Sequence, residues 1–431
     1  MVIIYSDKIS PRLQYIAHFI FKMVLGVDVR ITIDSEEFAN AYEVKINYSP
    51  QRFTSEEIHI VNHGLLFETG IQDQAIYLFE TNNYKAFFKT EDSDFPFDLF
   101  AASFYLLSRY EEYLPHKKDM YGRYAHDESL AFKNDFLRLP LVNIWINDFA
   151  QHIQKAFPYF SVYQPVNTGR AAMLLTYDID IAYSFKNKGW IRNVGGFFKA
   201  PALSRLKVLL GLQKDPFDSY SWINSLHRNH GLDAHYFFLV ANKNGQYDKH
   251  ILPQKNAMWK LIRKHAKHYP VGLHPSWQSG DRSNLLEMEK EQLESMAEIK
   301  VTSSRQHYIR FNLPEGYRRL IEAGIQDDHS MGYGSINGFR ASVATSFYWY
   351  DLEKEEQTTL MIHPFCYMEA NSYYEQKFSP QQALEEMKQY YAACKSTNSR
   401  FISIWHNHFL GTDLQFSDWK KAYEEFILSI K

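Results

Sequence analysis

Apolar residues in the first part of the chain recur at spacings that predict short helices mixed with short strands. Ser10 and Pro11 are typical of a helix N-cap followed by proline at the first helical position, and apolar residues repeat at helical spacing up to Val24. A second helix is predicted from Asp98 to Tyr113, closed by Pro115. Strand-like runs are predicted at Val27–Ile33, Glu43–Asn47, Ile58–Val61 and Ala75–Phe79.

The pattern changes after Pro165, Asn167 and Gly169, which mark a domain boundary. Residues 1–165 are therefore predicted to form a smaller α+β domain of unassigned role, and residues 166–431 a second domain. From Ala171 onward, short apolar runs alternate with helical stretches, as in the parallel strands of a barrel or a doubly wound sheet. The predicted strands are Ala171–Thr176, Ala234–Val240, Pro270–Leu273, Val301–Ser304, Thr359–Ile362 and Phe401–Trp405. The predicted helices are Ser219–Asn229, Lys255–Lys267, Asn284–Ile299, Glu315–Glu322, Pro380–Ala393 and Ser417–Leu428.

Side chains capable of catalysis or metal binding follow these apolar runs one after another. In a β/α barrel the catalytic face is formed by the carboxyl ends of the strands. Asp327 and Asp328 follow a further short run predicted at Ala323–Ile325. Six strand ends therefore carry such residues: Asp178 and Asp180, His274, Arg305 and His307, Asp327 and Asp328, His363, and His406 and His408. A lone histidine is more often structural, but six ends of the same kind predict that these side chains converge on one pocket.

Asp178 and Asp180 stand two positions apart, so both side chains point to the same side if the strand stays extended. One carboxylate can then bind a cation while the other takes a proton from water on that cation. A divalent ion lowers the pKa of its water from about 15.7 to about 7, which makes hydroxide available near neutral pH. Histidines complete the ligand set of a borderline cation such as zinc, provided that one position stays open.

Composition narrows the partners and the compartment. The 431 residues carry a net charge of -3, which gives no reason to propose nucleic acid as a partner. Aromatic residues make up 16% of the chain, which favours an aromatic-rich core over a sugar-stacking groove. Two cysteines are too few for a disulfide framework or a thiolate metal site. With neither an export signal nor a transmembrane segment in the sequence, we expect a cytoplasmic protein.

Several of these segments resemble the motifs of the polysaccharide deacetylases, the NodB-homology proteins of carbohydrate esterase family four. The run from Thr176 to Asp180 is similar to their first motif, which implies that Asp178 is the general base and Asp180 a metal ligand. Gly272–Gln278 resembles the second motif, which implies that His274 binds the metal. Gly338-Phe339-Arg340 resembles the motif whose arginine orients the base, and Ile404-Trp405-His406 the motif whose histidine is the general acid.

The resemblance covers about three-fifths of the chain and implies an irregular (β/α)7-type deacetylase barrel that hydrolyses the N-acetyl amide of a sugar or glycan. The implied cofactor is a divalent metal, with zinc as the first choice. Ser304–Arg310 and Gly338–Ala341 are similar to a divergent, uncharacterised bacterial branch that carries an extra N-terminal domain.

One position departs from the family pattern. Gln278 stands where the second metal-binding histidine is expected, and a neutral amide is a poor zinc ligand. Three outcomes follow: His307 or His363 supplies the missing nitrogen, the metal is held weakly by Asp180, His274 and water, or the metal is lost. In the third outcome the barrel would serve as a glycan-binding or scaffolding module. A further alternative is hydrolysis of other non-peptide C–N bonds, because relatives with this barrel act on small cyclic amides and imides.

Because His274 and His307 lie on consecutive predicted strands, we expect His307 to be the third ligand, although it could instead only orient an aspartate. Substrate-binding roles are expected for Arg305, Arg310, Asp328 and Trp277 at the same rim. The arginines could equally pair with nearby carboxylates or recognise an anionic group. Seven basic and no acidic residues lie between Lys186 and Lys214, so an anionic carbohydrate is considered as the substrate.

Overall fold

The computed structural model describes residues 1–162, 173–187 and 203–430. The described chain forms two compact units. The first comprises the described residues of Met1–Asn167, together with Phe339–Pro364 and Ala393–Ser399. The second comprises the described residues of Thr168–Gly338, Phe365–Ala392 and Arg400–Lys431. The predicted boundary near Pro165 to Gly169 lies outside the described residues.

The first unit is built on a four-stranded sheet in which each strand is parallel to its neighbours. Its strands are β1 (Val2–Tyr5), β2 (Val29–Thr32), β3 (Val44–Asn47) and β4 (Ile58–His59), in the order β2-β1-β3-β4. Helix α1 (Pro11–Ala17) continues as a π-helical segment over His18–Val24 and lies between β1 and β2 in the chain, and α2 (Ser35–Ala39) lies between β2 and β3. The sequence predicted an α+β mixture, and the parallel direction of these strands could not be read from four-residue runs.

Local capping decides where the helices of this unit begin. The predicted start of α1 is confirmed, because Ser10 Oγ accepts a hydrogen bond from the backbone N–H of Leu13 at 3.0 Å. Asp98 caps α3 (Leu99–Leu107) in the same way, through the N–H of Ala101 at 2.9 Å. The second helix is shorter than predicted because Arg109 adopts a left-handed conformation, with φ of 56°, before a 3-10 turn at Tyr110–Glu112.

The strand predicted at Ala75–Phe79 is wrong. The structure has a small antiparallel hairpin there, β5 (Phe79–Thr81) with β6 (Tyr84–Ala86). Asn82 and Asn83 both have positive φ in its two-residue turn, a conformation that asparagine tolerates and that fixes the hairpin register. Helices α4 (Leu130–Lys133) and α5 (Leu141–Ala156) complete this part, around fully buried aromatic side chains: Phe87, Phe97, Phe100, Trp145 and Phe149.

The second unit carries a parallel sheet with the strand order β11-β10-β9-β8-β7-β15-β14. Its strands are β7 (Met173–Ile179), β8 (Ala234–Leu239), β9 (Val271–His274), β10 (Ser303–Ser304), β11 (Asp327–Asp328), β14 (Tyr367–Met368) and β15 (Phe401–His406). Its helices are α6 (Leu203–Leu209), α7 (Tyr220–His230), α8 (Asn256–Ala266), α9 (Ser283–Ala297), α10 (Glu315–Glu322), α11 (Pro380–Ser396) and α12 (Ser417–Ser429). Strands alternating with helices confirm the predicted α/β class. Closure of the sheet into a barrel stays a prediction.

Two of the predicted strands are different in the structure. The Thr359–Ile362 run belongs to the first unit, where β13 (Glu356–Ile362) pairs antiparallel with β12 (Phe347–Asp351). The run Ala323–Ile325 is not extended, and the short β11 follows it. Among the described residues, no helix is both long and apolar enough to cross a bilayer.

Candidate metal centre

The parallel register of β7, β8, β9 and β15 places four of the predicted side chains at one edge of the sheet. Asp178 lies opposite His406 of β15, and Leu239 of β8 lies opposite His274. Asp180 follows the last residue of β7 by one position. Because the strands run in the same direction, their carboxyl ends meet at this edge.

Asp180, His274 and His307 each offer one ligand atom, and these atoms all lie within 4.8 Å of one another. His274 Nε2 is 3.1 Å from Asp180 Oδ1, and His307 Nε2 is 3.5 Å from Asp180 Oδ2. Asp180 Oδ1 is buried and has no hydrogen-bond donor among the described residues. A buried carboxylate oxygen in this state is costly, and a cation between the three side chains would relieve the cost.

The two histidines are oriented so that Nε2 of each faces the aspartate. His274 Nδ1 donates to the carbonyl oxygen of Arg305 at 2.6 Å, and His307 Nδ1 donates to Asp248 Oδ1 at 3.0 Å. In a neutral ring this leaves the lone pair on Nε2, which is the arrangement found around protein-bound metals. The donor set of one carboxylate and two imidazoles therefore fits a divalent ion such as zinc.

The pKa values of these side chains show how strongly the charges interact. Burial opposes ionisation of Asp180, but the neighbouring His307 and His406 outweigh it and hold the Asp180 pKa well below its usual range. Burial would lower the pKa of His307, but Asp180 and Asp248 raise it to about 9. The cluster thus attracts positive charge, either as protons on the imidazoles or as a metal ion in their place.

Asp178 is held beside this cluster by a buried guanidinium. Arg305 Nη1 donates to Asp178 Oδ1 at 3.1 Å and to Thr176 Oγ1 at 2.6 Å, and its Nε donates to the carbonyl oxygen of His329 at 3.0 Å. Asp178 Oδ2 lies 4.0 Å from His274 Nε2. One carboxylate oxygen is therefore fixed by the arginine while the other lies near the three candidate ligands.

His406 is the remaining ionisable group at this edge. Its Nδ1 and its backbone N–H both donate to Glu369 Oε1, each at 2.7 Å, and its Nε2 lies 3.5 Å from Asp180 Oδ2. Burial would lower the pKa of His406, but the charges of Glu369 and Asp180 raise it to about 10. Burial and the neighbouring His406 instead lower the pKa of His408 to about 3. His406 can therefore carry a proton that His408 does not.

Arg340, predicted to orient the base, belongs to the first unit and pairs there with Glu112, with Nε to Oε1 at 2.8 Å. The guanidinium that contacts Asp178 is that of Arg305, for which substrate binding and pairing with a nearby carboxylate were both open. His363 also belongs to the first unit, where its Nδ1 lies 2.8 Å from Ser346 Oγ.

Asp328, expected to bind substrate, is fully buried. Its carboxylate accepts hydrogen bonds from Ser304 Oγ at 3.1 Å and from the N–H of Ser330 at 2.8 Å. Its contacts therefore tie β10 to the chain after β11.

Trp277 and Arg310 lie together, with the guanidinium 4.5 Å from the ring centroid and donating to the Trp277 carbonyl oxygen at 3.2 Å. Tyr247 stacks on the same indole at 4.0 Å, and Arg310 also pairs with Asp281. Gln278, half-buried, begins a 3-10 turn at Ser279–Asp281.

Two carboxylates that hydrogen-bond to histidines at this edge were not predicted, namely Asp248 beside His307 and Glu369 beside His406. Glu369 directly follows the two-residue β14, which is too short to leave a periodic signal in the sequence. Asp248 lies between β8 and α8, in a stretch where only the fold reveals that it faces His307.

Comparisons with known proteins give one family model and several solved structures. Residues 2–158 match the model of a family of unknown function, DUF7033. No curated protein matches. A putative polysaccharide deacetylase from Mycobacterium smegmatis is 13% identical, with 62% of this chain and 85% of that chain covered and a TM-score of 0.41. Puue allantoinase is 12% identical, with 62% and 85% covered and a TM-score of 0.39. A CE4 family pseudoenzyme from Bacillus anthracis is 10% identical, with 62% and 63% covered and a TM-score of 0.31.

Proposed function

We propose that the protein is a metal-dependent hydrolase that removes the acetyl group from the N-acetyl amide of a sugar or glycan. The observation that carries the proposal is the grouping of Asp180, His274 and His307. The Asp178 carboxylate, hydrogen-bonded to Arg305, and His406, whose pKa is raised to about 10, lie beside this group. The resemblance of the motifs at Asp178, His274 and His406 to those of polysaccharide deacetylases supports it. His307 would supply the second imidazole ligand, because Gln278 stands where the family motif has that histidine.

In this proposal each side chain has one task. Asp180, His274 and His307 would hold a divalent ion, preferably zinc, which polarises the amide carbonyl and makes water acidic. Asp178 takes a proton from the attacking water, and Arg305 orients its carboxylate for that step. His406 gives its proton to the departing amine nitrogen, and Glu369 positions the imidazole through Nδ1.

The proposed substrate is a carbohydrate, and an anionic one is favoured by the basic residues between Lys186 and Lys214. Trp277 and Arg310, which pack against each other, remain the proposed substrate-binding side chains. Cytoplasmic location remains part of the proposal. Residues 188–202 of the basic segment lie outside the described residues.

The decisive experiment combines metal analysis with a deacetylation assay on chitooligosaccharides. We expect about one divalent ion per chain in the wild type, and loss of both the ion and acetate release in Asp180→Ala and His307→Gln. His268→Gln, a change at an exposed histidine, is the matched control and should keep both. A wild-type protein that binds no divalent ion would refute the hydrolytic mechanism.

Gln278 favours a second candidate, a glycan-binding or scaffolding module without hydrolysis. Acetate release that disappears in Asp178→Asn would exclude this candidate. A panel of cyclic amides and imides beside acetylated sugars tests the other C–N bond chemistry, which activity confined to acetylated sugars would exclude.

A further inference from the structure

Four exposed leucines lie on and directly after α6. The exposed fractions are 50% for Leu206, 45% for Leu209, 64% for Leu210 and 76% for Leu212. Positions 206, 209 and 210 are three and four residues apart, so their side chains share one face of a helical turn. We call these four residues the leucine patch. Contiguous apolar surface of this kind marks a binding site more often than singly scattered exposed leucines do.

The residues around the leucine patch are basic. Arg205, Lys207 and Lys214 fall in the twelve residues from Leu203 to Lys214, and no acidic residue occurs between Lys186 and Lys214. Lys214 also lies 3.7 Å from Asp218, so part of its charge is compensated. Leucines on one face beside lysines and arginines are typical of segments that lie in the headgroup region of an anionic membrane.

We propose that the leucine patch docks this protein on the surface of an anionic lipid bilayer. The leucines would enter the boundary of headgroups and acyl chains, while the exposed Lys207 would meet lipid phosphates. Charge decides against a second copy of the chain as the occupant. In a two-fold contact the same patch meets itself, so basic residues would face basic residues across the interface.

The leucine patch is attached to the chain that leaves the candidate metal centre. Val208 is fully buried and anchors α6, and the Arg205 guanidinium lies 5.0 Å above the ring of Phe185. Asp215, also fully buried, accepts hydrogen bonds from three successive backbone N–H groups at distances of 2.7 to 2.9 Å, those of Ser184, Phe185 and Lys186. These contacts hold the segment just after Asp180.

A bilayer bound at the leucine patch would therefore lie close to the residues that follow Asp180. The next step rests on the proposed deacetylation. If that function is correct, the favoured substrates are sugars carried by lipids. The docking itself is independent of hydrolysis and can be measured without it.

The test is co-sedimentation of the full-length protein with vesicles of phosphatidylcholine, with and without phosphatidylglycerol. We expect binding to the anionic vesicles that weakens as salt is added. Leu210→Ser with Leu212→Ser should lower the partition coefficient at least about tenfold. Leu414→Ser with Leu428→Ser is the matched control, since these leucines are 90% and 58% exposed elsewhere on the same unit, and it should bind like wild type. Lys207→Gln should weaken binding only to the anionic vesicles.

Wild-type protein that stays in solution with anionic vesicles would overturn the docking, and so would equal binding by the two leucine double variants. Concentration-dependent dimerisation that only the Leu210 and Leu212 changes abolish, without vesicle binding, would also overturn it. Hydrolysis of a soluble chitooligosaccharide and the metal content should be unchanged in both double variants. A failure of docking is therefore distinguishable from a failure of the proposed function.

Discussion

His274 and His307 present Nε2 to Asp180 through different hydrogen-bond acceptors. The acceptor for His274 is a backbone carbonyl oxygen, which no side-chain substitution removes. The acceptor for His307 is the carboxylate of Asp248, which also accepts from the N–H of Trp277 at 2.9 Å. The orientation of His307 therefore depends on the side chain of Asp248, which lies outside the ligand set. The negative charge of Asp248 makes the His307 imidazole a better electron donor.

Replacing that carboxylate should weaken metal binding without removing a ligand. Asp248→Asn keeps the shape but loses the negative charge, so we expect metal affinity to fall by about 10- to 100-fold. Competition with a chromophoric chelator measures this, with exposed Asp418→Asn as the control. Unchanged affinity in Asp248→Asn would mean that His307 is not a ligand.

Glu369 acts on catalysis through His406 and is a positioning residue. Glu369→Gln removes the charge that stabilises the protonated imidazole, so we expect kcat to fall by about 10²-fold or more while metal content and KM change little. Steady-state kinetics with metal analysis separates this from a folding defect, and exposed Glu385→Gln is the control. Loss of the metal together with activity would instead give Glu369 a structural role.

The placement of side chains at one edge of the sheet could be predicted from sequence where they followed a strong apolar run, as at Asp178, His274 and His406. The sequence left open which arginine would pair with Asp178. Arg340 stands in the motif, yet the guanidinium seen at Asp178 is that of Arg305, because side-chain packing decides which cation reaches a carboxylate.

At the scale of elements, strand existence was easier to predict than strand direction. Helix α10 has the predicted bounds, Glu315–Glu322, and the β8 run is buried at every position, as expected for a central parallel strand. The direction of β13 was missed, although only four residues separate it from β12. A connection that short permits antiparallel pairing alone, because parallel strands need a crossover of a dozen or more residues.

Strand β9 can approach β8 and β10 closely because it contains Gly272. A Cβ at this position would lie 2.5 Å from the Phe237 ring and 2.7 Å from Ser303 Oγ. We expect Gly272→Ala to destabilise the protein by about 1–3 kcal/mol and to lower metal content by displacing His274. Urea unfolding and metal analysis test this. The control is Gly280→Ala, where the nearest atom is the end of the Arg310 side chain at 3.1 Å.

At the scale of the whole molecule, each unit buries arginine against carboxylate. The predicted aromatic-rich core is confirmed in the first unit by its buried phenylalanines and Trp145. In the same unit Glu112 accepts from Arg109 Nε at 2.7 Å and from Arg340 Nε at 2.8 Å. We call Glu112, Arg109 and Arg340 the buried triad. Removing one partner of a buried ion pair leaves the other charge uncompensated, so the buried triad should contribute more to stability than surface ion pairs do.

The buried triad predicts how stability depends on pH. Burial would raise the pKa of Glu112, but Arg340 and then Arg109 outweigh it and lower the pKa to about 2. Since the unfolded carboxyl titrates near pH 4.3, the stabilisation is complete above that pH and is lost as the pH falls toward about 2. Glu112→Gln should therefore cost about 3–5 kcal/mol at pH 7, and the difference from wild type should shrink on acidification.

Urea unfolding of both proteins across this pH range measures the effect, and exposed Glu385→Gln should show neither change. If Glu112→Gln does not fold, Arg340→Lys, which keeps the charge but loses the paired hydrogen bonds, gives a smaller loss with the same pH dependence. A difference from wild type that stays constant as the pH falls would show that Glu112 is not ionised in the folded protein. The hydrogen bonds from Arg109 and Arg340 would then act on a neutral carboxyl group, and the acid sensitivity of the protein would have to arise from other groups.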